Sequence, residues 1–357
     1  MQESQLPLGA LGCPEIPIPY VGQIHWAGFH VFGTWASFRL VVDLTYSRMN
    51  NIRERTHGQL GNLRSMDPPG AKGCLLRVAS FNVNGIRARM PVLLEWLKRA
   101  RPHLLALQET KVSDPEFPRE PLERAGYFCA FCGEKGFNGV AVLSLGPIEV
   151  LQEGLNDAGP ADRSRLILAR TLGLKVLNTY VPQGTCVGSE RFLYKLNWLE
   201  RLLPFMETHL SPQQPALWLG DFNVAPESLD VYDPAALEGE VGFHPEERAA
   251  LQRLRYWGWV DVFRLHVKQA GHYTFWDYRL KNAVSRGLGW RVDHIWATEP
   301  LSRLSCRAWI DLEPRKAPRP SDHTPIVAEF NWELPPSTVL PSNGVAFGPE
   351  IPGPCRE

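Results

Sequence analysis

A layered α/β architecture follows from three features of the sequence. Short apolar runs alternate with amphipathic helical stretches between residues 75 and 333. Polar residues gather directly behind several of the apolar runs, the place where α/β enzymes build their sites. Hydrophobic residues make up 44% of the 357, enough to bury a sizeable core.

The elements are read in chain order. Residues 75–83 predict a strand. Residues 90–101 predict a helix, with Val92, Leu93, Trp96 and Leu97 on one stripe. Residues 103–107 predict a buried strand, and the apolar run 127–131 another. Further strands are expected at 140–145, 165–170 and 174–180. Residues 189–209 predict a helix with Phe192, Leu193, Leu196, Leu199 and Leu203 inward. A strand at 216–219 follows. Residues 245–257 predict a helix with Pro245 in its first turn, Glu246 and Glu247 against the dipole, and Gly258 past its end. Late strands are expected at 288–297 and 325–330. No repeat of fixed period is present.

The flanks differ from this core. Residues 1–74 mix Pro, Gly and aromatics without period, and are expected to form a poorly ordered extension. Met66 could even be the true start. Six Lys/Arg against five Asp/Glu there do not suit a transit peptide, and no basic region precedes an apolar one. The tail 334–357 holds six Pro in 24 residues and reads as disordered. The catalytic domain is therefore expected at 75–333.

Lys plus Arg equals Asp plus Glu at 38 each, which excludes a histone-like polycation. It leaves room for an enzyme with one basic face. Seven scattered Cys do not form a disulfide framework, and an intracellular compartment is expected. In a bacterium that would be the cytoplasm with its nucleoid, in a eukaryote the nucleus or mitochondrion. Cys129 and Cys132 read as a structural strand pair rather than a metal or redox motif. No run reaches the ~18 apolar residues of a membrane span, so no membrane association is expected.

Five strand ends carry Asn82 and Asn84, Glu109, Asp221 and Asn223, Asp293, and Asp322 and His323. One acid at a strand end is commonplace; five such ends are harder to explain as solvated turns. Carboxylates and carboxamides with one His, and no Cys among them, suit a hard divalent ion such as Mg²⁺. Asp221 and Asn223 sit at i and i+2, so an extended backbone would point both to one face. Adjacent Asp322 and His323 would face opposite ways on a strand. His323 then needs another acid, and Asp293 is the candidate. A metal, an activated water and a cation near developing charge are the parts of phosphodiester hydrolysis.

Seven motifs now stand in order: Ser80-Phe-Asn-Val-Asn-Gly-Ile-Arg-Ala-Arg89, Leu107-Gln-Glu-Thr-Lys111, Asn178-Thr-Tyr-Val-Pro-Gln-Gly184, Gly220-Asp-Phe-Asn-Val-Ala225, Phe275-Trp-Asp-Tyr-Arg279, Gly289-Trp-Arg-Val-Asp293 and Ser321-Asp-His323. Together they resemble exonuclease III-type apurinic/apyrimidinic endonucleases across essentially the whole core. The resemblance implies a four-layer α/β sandwich, two packed β-sheets flanked by helices. It implies Mg²⁺-dependent cleavage 5′ to abasic sites in double-stranded DNA, with Mn²⁺ a possible substitute. Removal of blocked 3′ ends, 3′–5′ degradation and a monomeric state are further expectations. By the same resemblance Glu109 is the main metal ligand, with Asn82 and Asp322 nearby. Tyr180 contacts the scissile phosphate, Asp221 is base or proton shuttle, and Asn223 positions phosphate and water. Asp293 and His323 are the orienting pair. Phe275, Trp290 and Val292 wall a pocket for the flipped sugar. Asn84 stands where some members carry Asp, and Val292 where some carry Leu.

An abasic sugar has no base to unstack, so flipping it costs little, and aromatic walls exclude a full nucleotide by size. Basic residues near the motifs could contact phosphate: Arg87 and Arg89, Arg163 and Arg165, Arg279 and Lys281, and Arg315, Lys316 and Arg319. Two rivals share the scaffold: a phosphatase or deadenylase, and a nucleic-acid binder without catalysis. Intact acids argue against the second.

Overall fold

In the computed structural model, which describes residues 75–338, two six-stranded sheets lie face to face. The strands are β1 Leu75–Asn82, β2 Leu104–Gln108, β3 Phe128–Cys132, β4 Val140–Ser144, β5 Glu149–Glu153 and β6 Leu166–Thr171. Then come β7 Leu174–Tyr180, β8 Ala216–Asp221, β9 Trp259–Asp261, β10 Asp293–Thr298, β11 Ser305–Ile310 and β12 Ile326–Asn331. Helices of six residues or more are α1 Ile86–Ala100, α2 Arg119–Arg124, α3 Glu190–His209 and α4 Pro245–Tyr256. The expected extension over 1–74 and all but 334–338 of the expected tail lie outside the described residues. No described helix is long and apolar enough to cross a membrane.

One sheet runs β11-β12-β1-β2-β4-β3 and the other β5-β6-β7-β8-β10-β9. Each has one parallel pair, β1 with β2 and β7 with β8, among antiparallel neighbours. The inner faces share a core that includes Val78, Ala106 and Val142 from one sheet and Val176, Leu219 and Ile295 from the other. Phe81, Trp96 and Leu122 join the first sheet's outer face to α1 and α2. Trp198, Trp218 and Leu251 join the second's to α3 and α4. That gives helices, sheet, sheet, helices. Leu334 still packs on the inner core.

Three sequence expectations shift. The first helix starts at Ile86, four residues early. Buried Ile86 and the bonds from Gly85 N to Glu109 O (2.7 Å) and Ile86 N to Thr110 O (3.0 Å) pin its start. Pro91 then lies inside it. In α3, Leu193 is 58% exposed, while Phe192, Lys195, Trp198, Leu199 and Leu202 are buried. The stripe rotates because Lys195 points inward to Glu247. The strand expected at 288–297 begins only at Asp293. Before it, Trp290 O accepts from Thr274 N (2.8 Å) and Phe275 N (2.9 Å), so this stretch pairs with a loop. Cys129 and Cys132 are free thiols, both pushed up to about 12 by burial, which suits a structural role.

Candidate active site

Strand register gathers the site. In the parallel pairs Asn82 lies opposite Gln108 and Tyr180 opposite Asp221. Across the antiparallel step Asp293 lies opposite Asp221. The carboxyl ends of both parallel pairs therefore open on one edge, with one from each sheet. Buried Asn82 joins them: its Nδ2 donates to Glu109 Oε1 and to Asp221 Oδ2, each at 2.8 Å. The backbone N of Asn84, which can only donate, points at Asn82 Oδ1 (3.0 Å) and so fixes the amide's orientation. Asn82 thus presents its NH₂ to the carboxylates.

Glu109 follows β2 with φ at 51°, in the left-handed region, where the chain leaves the strand sharply. Lys111 Nζ meets Glu109 Oε2 (2.6 Å) and Asn84 Oδ1 (2.6 Å). Burial alone would raise the Glu109 carboxyl, but Lys111, Asn82 and His323 hold it lowered. Tyr180 ends β7 beside Asp221 and is near enough to Glu109 and Asp221 to feel both carboxylates. Burial and the neighbouring carboxylates raise that phenol well above its usual value. The Arg165 guanidinium covers its ring at 4.9 Å.

Asp221 and Asn223 do meet, but not on an extended strand. Asn223 has φ at 50°. Its N–H turns back to Asp221 Oδ1 (2.9 Å), and its Nδ2 donates to Val181 O (2.9 Å) and to Asp221 Oδ2 (3.3 Å). A side-chain-to-backbone turn, not the strand's two-residue period, brings them together. Asp221 is fully buried, and burial pushes its carboxyl up to about 7 despite His323.

His323 Nδ1 donates to Asp293 Oδ2 at 2.8 Å, and its Nε2 lies 3.9 Å from Asp221 Oδ2. Burial would lower its pKa, but Asp293 and Asp221 raise it to about 10. Asp322 points elsewhere, accepting from Asn84 Nδ2 (2.9 Å). Ser321 ties this segment down, donating to Asn82 O (2.7 Å) and accepting from His323 N (3.2 Å). Phe275 bridges both Trp290 and His323, and its ring lies 4.8 Å from the imidazole. Phe275 and Trp290 are half-buried and Val292 is buried. With the strand starting late, Trp290, Val292 and Asp293 need not alternate across one strand.

Ligand-capable atoms of Glu109, Asp221 and His323 lie within 4.8 Å of one another. The three are chemically unequal. A protonated imidazole has no lone pair to give a metal, which leaves His323 as a cation. Glu109, held anionic, is the oxygen donor best suited to a hard divalent ion.

Sequence reasoning missed two buried networks behind the site. Arg291 donates to Asp230 Oδ1 (2.7 Å), Asp261 Oδ2 (2.8 Å) and His294 Nδ1 (2.9 Å), fixing the stretch between Trp290 and Asp293. Nothing in the sequence marked it. Lys195 pairs with Glu247 at full burial and donates to Asn223 O (2.8 Å). Its signal was a Lys in phase with Phe192, Trp198 and Leu199. Several of the basic residues singled out from sequence are partnered within the protein: Arg87 with Glu116, Arg163 with Asp114 and Glu153, Arg279 with Asp277. Arg89 reaches Tyr278 (3.3 Å), which Arg315 also faces at 5.3 Å.

Comparison with known proteins agrees with this geometry. Residues 79–323 match the model of the endonuclease/exonuclease/phosphatase family. Exodeoxyribonuclease III of Haemophilus influenzae is 35% identical over 268 residues, 71% of this chain and all of that protein. An exodeoxyribonuclease of Bacillus subtilis is 32% identical over 72% of this chain and all of its own length. Among solved structures, an AP endonuclease from Archaeoglobus fulgidus superposes with a TM-score of 0.69 at 45% identity, covering 71% of this chain and 99% of that one. A 3′ phosphatase from Neisseria bound to product DNA hairpin gives 0.69 at 33% identity, covering 72% and 100%. The family match spans the stretch that builds the site, the relatives are covered along their whole length, and the chain belongs to the endonuclease/exonuclease/phosphatase family, in the group of exodeoxyribonuclease III and AP endonucleases.

Proposed function

We propose that the chain is a Mg²⁺-dependent DNA repair nuclease that cleaves duplex DNA 5′ to abasic sites and also clears blocked 3′ ends, acting as a monomer. The observation that carries this reading is the asymmetric trio of Glu109, Asp221 and His323: one acid held anionic, one acid near neutrality, one cation. The Glu109 carboxylate would hold a hard divalent ion, while Asn82 presents its NH₂ there and orients Glu109 rather than offering an oxygen, and Asp322 bonds Asn84. When bound, that ion supplies positive charge to a phosphate oxygen.

The chain's own residues supply the rest. Asp221 sits near the working pH, where a base takes a proton from water most effectively. Asn223, fixed by three hydrogen bonds of its own side chain and N–H, orients that water or the phosphate. His323 donates from Nε2 to a phosphate oxygen, and Asp293 keeps its ring charged and aimed. Tyr180 stays protonated and donates alongside. Phe275, bridged to Trp290 and His323, supports the reading that Phe275, Trp290 and Val292 wall a pocket for a sugar without a base. The test is a duplex with one abasic site, incubated with Mg²⁺ and with EDTA. A single Mg²⁺-dependent incision 5′ to the lesion is expected. Only end degradation, or cleavage in EDTA, would overturn the reading.

A further inference from the structure

We propose that Lys195 and Glu247, buried behind the site, form a positioning pair that holds the Asn223 turn and the Trp290 wall in one arrangement. The inference rests on the nuclease reading above.

Both side chains are completely buried. An ion pair costs desolvation that an apolar pair of similar volume avoids, so stability alone is a poor reason for one. The remaining inward residues of α3, Phe192, Trp198 and Leu199 among them, are apolar. What the pair does hold is backbone. Lys195 Nζ donates to Gln183 O (3.1 Å) and Asn223 O (2.8 Å) and forms an ion pair with Glu247 Oε1. Glu247 Oε2 accepts from Gly242 N (2.6 Å) and His244 N (3.1 Å).

These contacts meet at two parts of the site. Asn223 has φ at 50°, a left-handed conformation that asparagine tolerates and that hydrogen bonds to Asp221 and Val181 close here. Lys195 grips the carbonyl of that very residue. On the other side, Gly242 passes so close to Trp290 that an added Cβ would lie 3.3 Å from its ring. Gly242 O in turn accepts from Ala225 N (2.7 Å), closing the loop back to the Asn223 turn. One ion pair therefore sets both the residue that orients the water or phosphate and the backbone against the pocket wall.

The test compares Lys195→Met, Lys195→Arg and the charge-free pair Lys195→Met/Glu247→Gln with wild type on an abasic duplex at saturating Mg²⁺. The double variant leaves no unpaired buried charge and keeps an acceptor for Gly242 N and His244 N, so it retains the fold if the single variant does not. A displaced turn should lower kcat on the order of 10²-fold with KM changed far less. Lys195→Arg should recover part of the loss. Adding Asn223→Ala should cost less in the double variant than in wild type, since the two act as a unit. Unchanged kcat in a folded variant, or losses that multiply, would overturn the pairing. Wild type inactive on this substrate would instead count against the nuclease reading. A crystal structure of the double variant is the activity-independent arm. Asn223 is expected to leave its left-handed conformation, and an unmoved turn would overturn the proposal.

Discussion

His323 and Asp293 meet at 2.8 Å from segments thirty residues apart, and the second carboxylate oxygen of Asp293 has no hydrogen-bond partner. The carboxylate is thus committed to the imidazole. Losing His323 should cost on the order of 10² to 10³ in rate. It should also cost about 3 to 5 kcal/mol of stability, because a buried charge is left alone. With the ring gone, Asp293→Asn should cost little more rate and should restore stability. A double-mutant cycle read by both cleavage rate and denaturant midpoint checks this; losses that multiply in rate would show independent residues.

Glu109→Gln keeps the side chain's shape and its contact with Asn82 but removes the charge that suits a divalent ion. The Mg²⁺ concentration for half-maximal activity should rise roughly tenfold or more, given that even groups behind a metal ligand matter by 10- to 100-fold. Titration calorimetry with Mg²⁺ or Mn²⁺ on the free protein gives the second readout. Full activity of the variant at limiting Mg²⁺ would remove Glu109 from the metal site.

Activity should follow a bell in pH. In the proposed mechanism Asp221 loses its proton to act as base, so kcat/KM should rise as pH climbs through about 7. His323 must keep its proton to face a phosphate oxygen, so the rate should fall again near about 10. A divalent ion beside Asp221 favours the carboxylate and moves the lower limb to lower pH. Asp221→Asn should abolish that limb together with most of the rate. A lower limb that survives the substitution would assign it to another group.

His294 gives a separate acid-sensitivity. Its Nδ1 accepts from Arg291 and its Nε2 donates to Val224 O at 3.0 Å, so the ring is buried neutral. Burial and Arg291 lower its pKa from 6.5 to about 4. Between those values the unfolded chain takes up a proton that the fold refuses, so stability drops as pH falls. The loss is at most about 1.4 kcal/mol per pH unit from this group. Urea midpoints at pH 7 and 4.5 should converge in His294→Gln relative to wild type. Equal acid sensitivity in the two proteins would overturn the assignment.

The sequence disclosed some parts of this site better than others, for physical reasons. Glu109 and Asp221 were legible because each follows a buried apolar run, and a strand must end where polarity begins. The Asp293–His323 pairing was expected from neighbours facing apart on a strand, yet residues 322 and 323 precede β12, and it is the bond from Asn84 that turns Asp322 away. The Asn223 geometry was not legible, because a left-handed turn closed by an Asp side chain leaves no periodic trace. Nor was the phase of α3 legible. Leu193 looked inward by hydrophobicity, and only the distant Glu247 explains why Lys195 takes the buried side. Arg291 was invisible for the same reason, its partners Asp230 and Asp261 being far away in the chain.

The two hydrogen bonds of Asn82 run to an acid behind each sheet, Glu109 on one and Asp221 on the other. That amide works as a gauge between the layers, and its tolerance is that of a hydrogen bond, a few tenths of an ångström. Any slip of one sheet over the other spoils the alignment of the two acids before either sheet loses a strand. Cleavage is therefore a finer reporter of the inter-sheet core than any spectroscopic melt. A methyl added deep in that core, at Ala106 for instance, would be felt first as lost turnover in a protein that still looks fully folded.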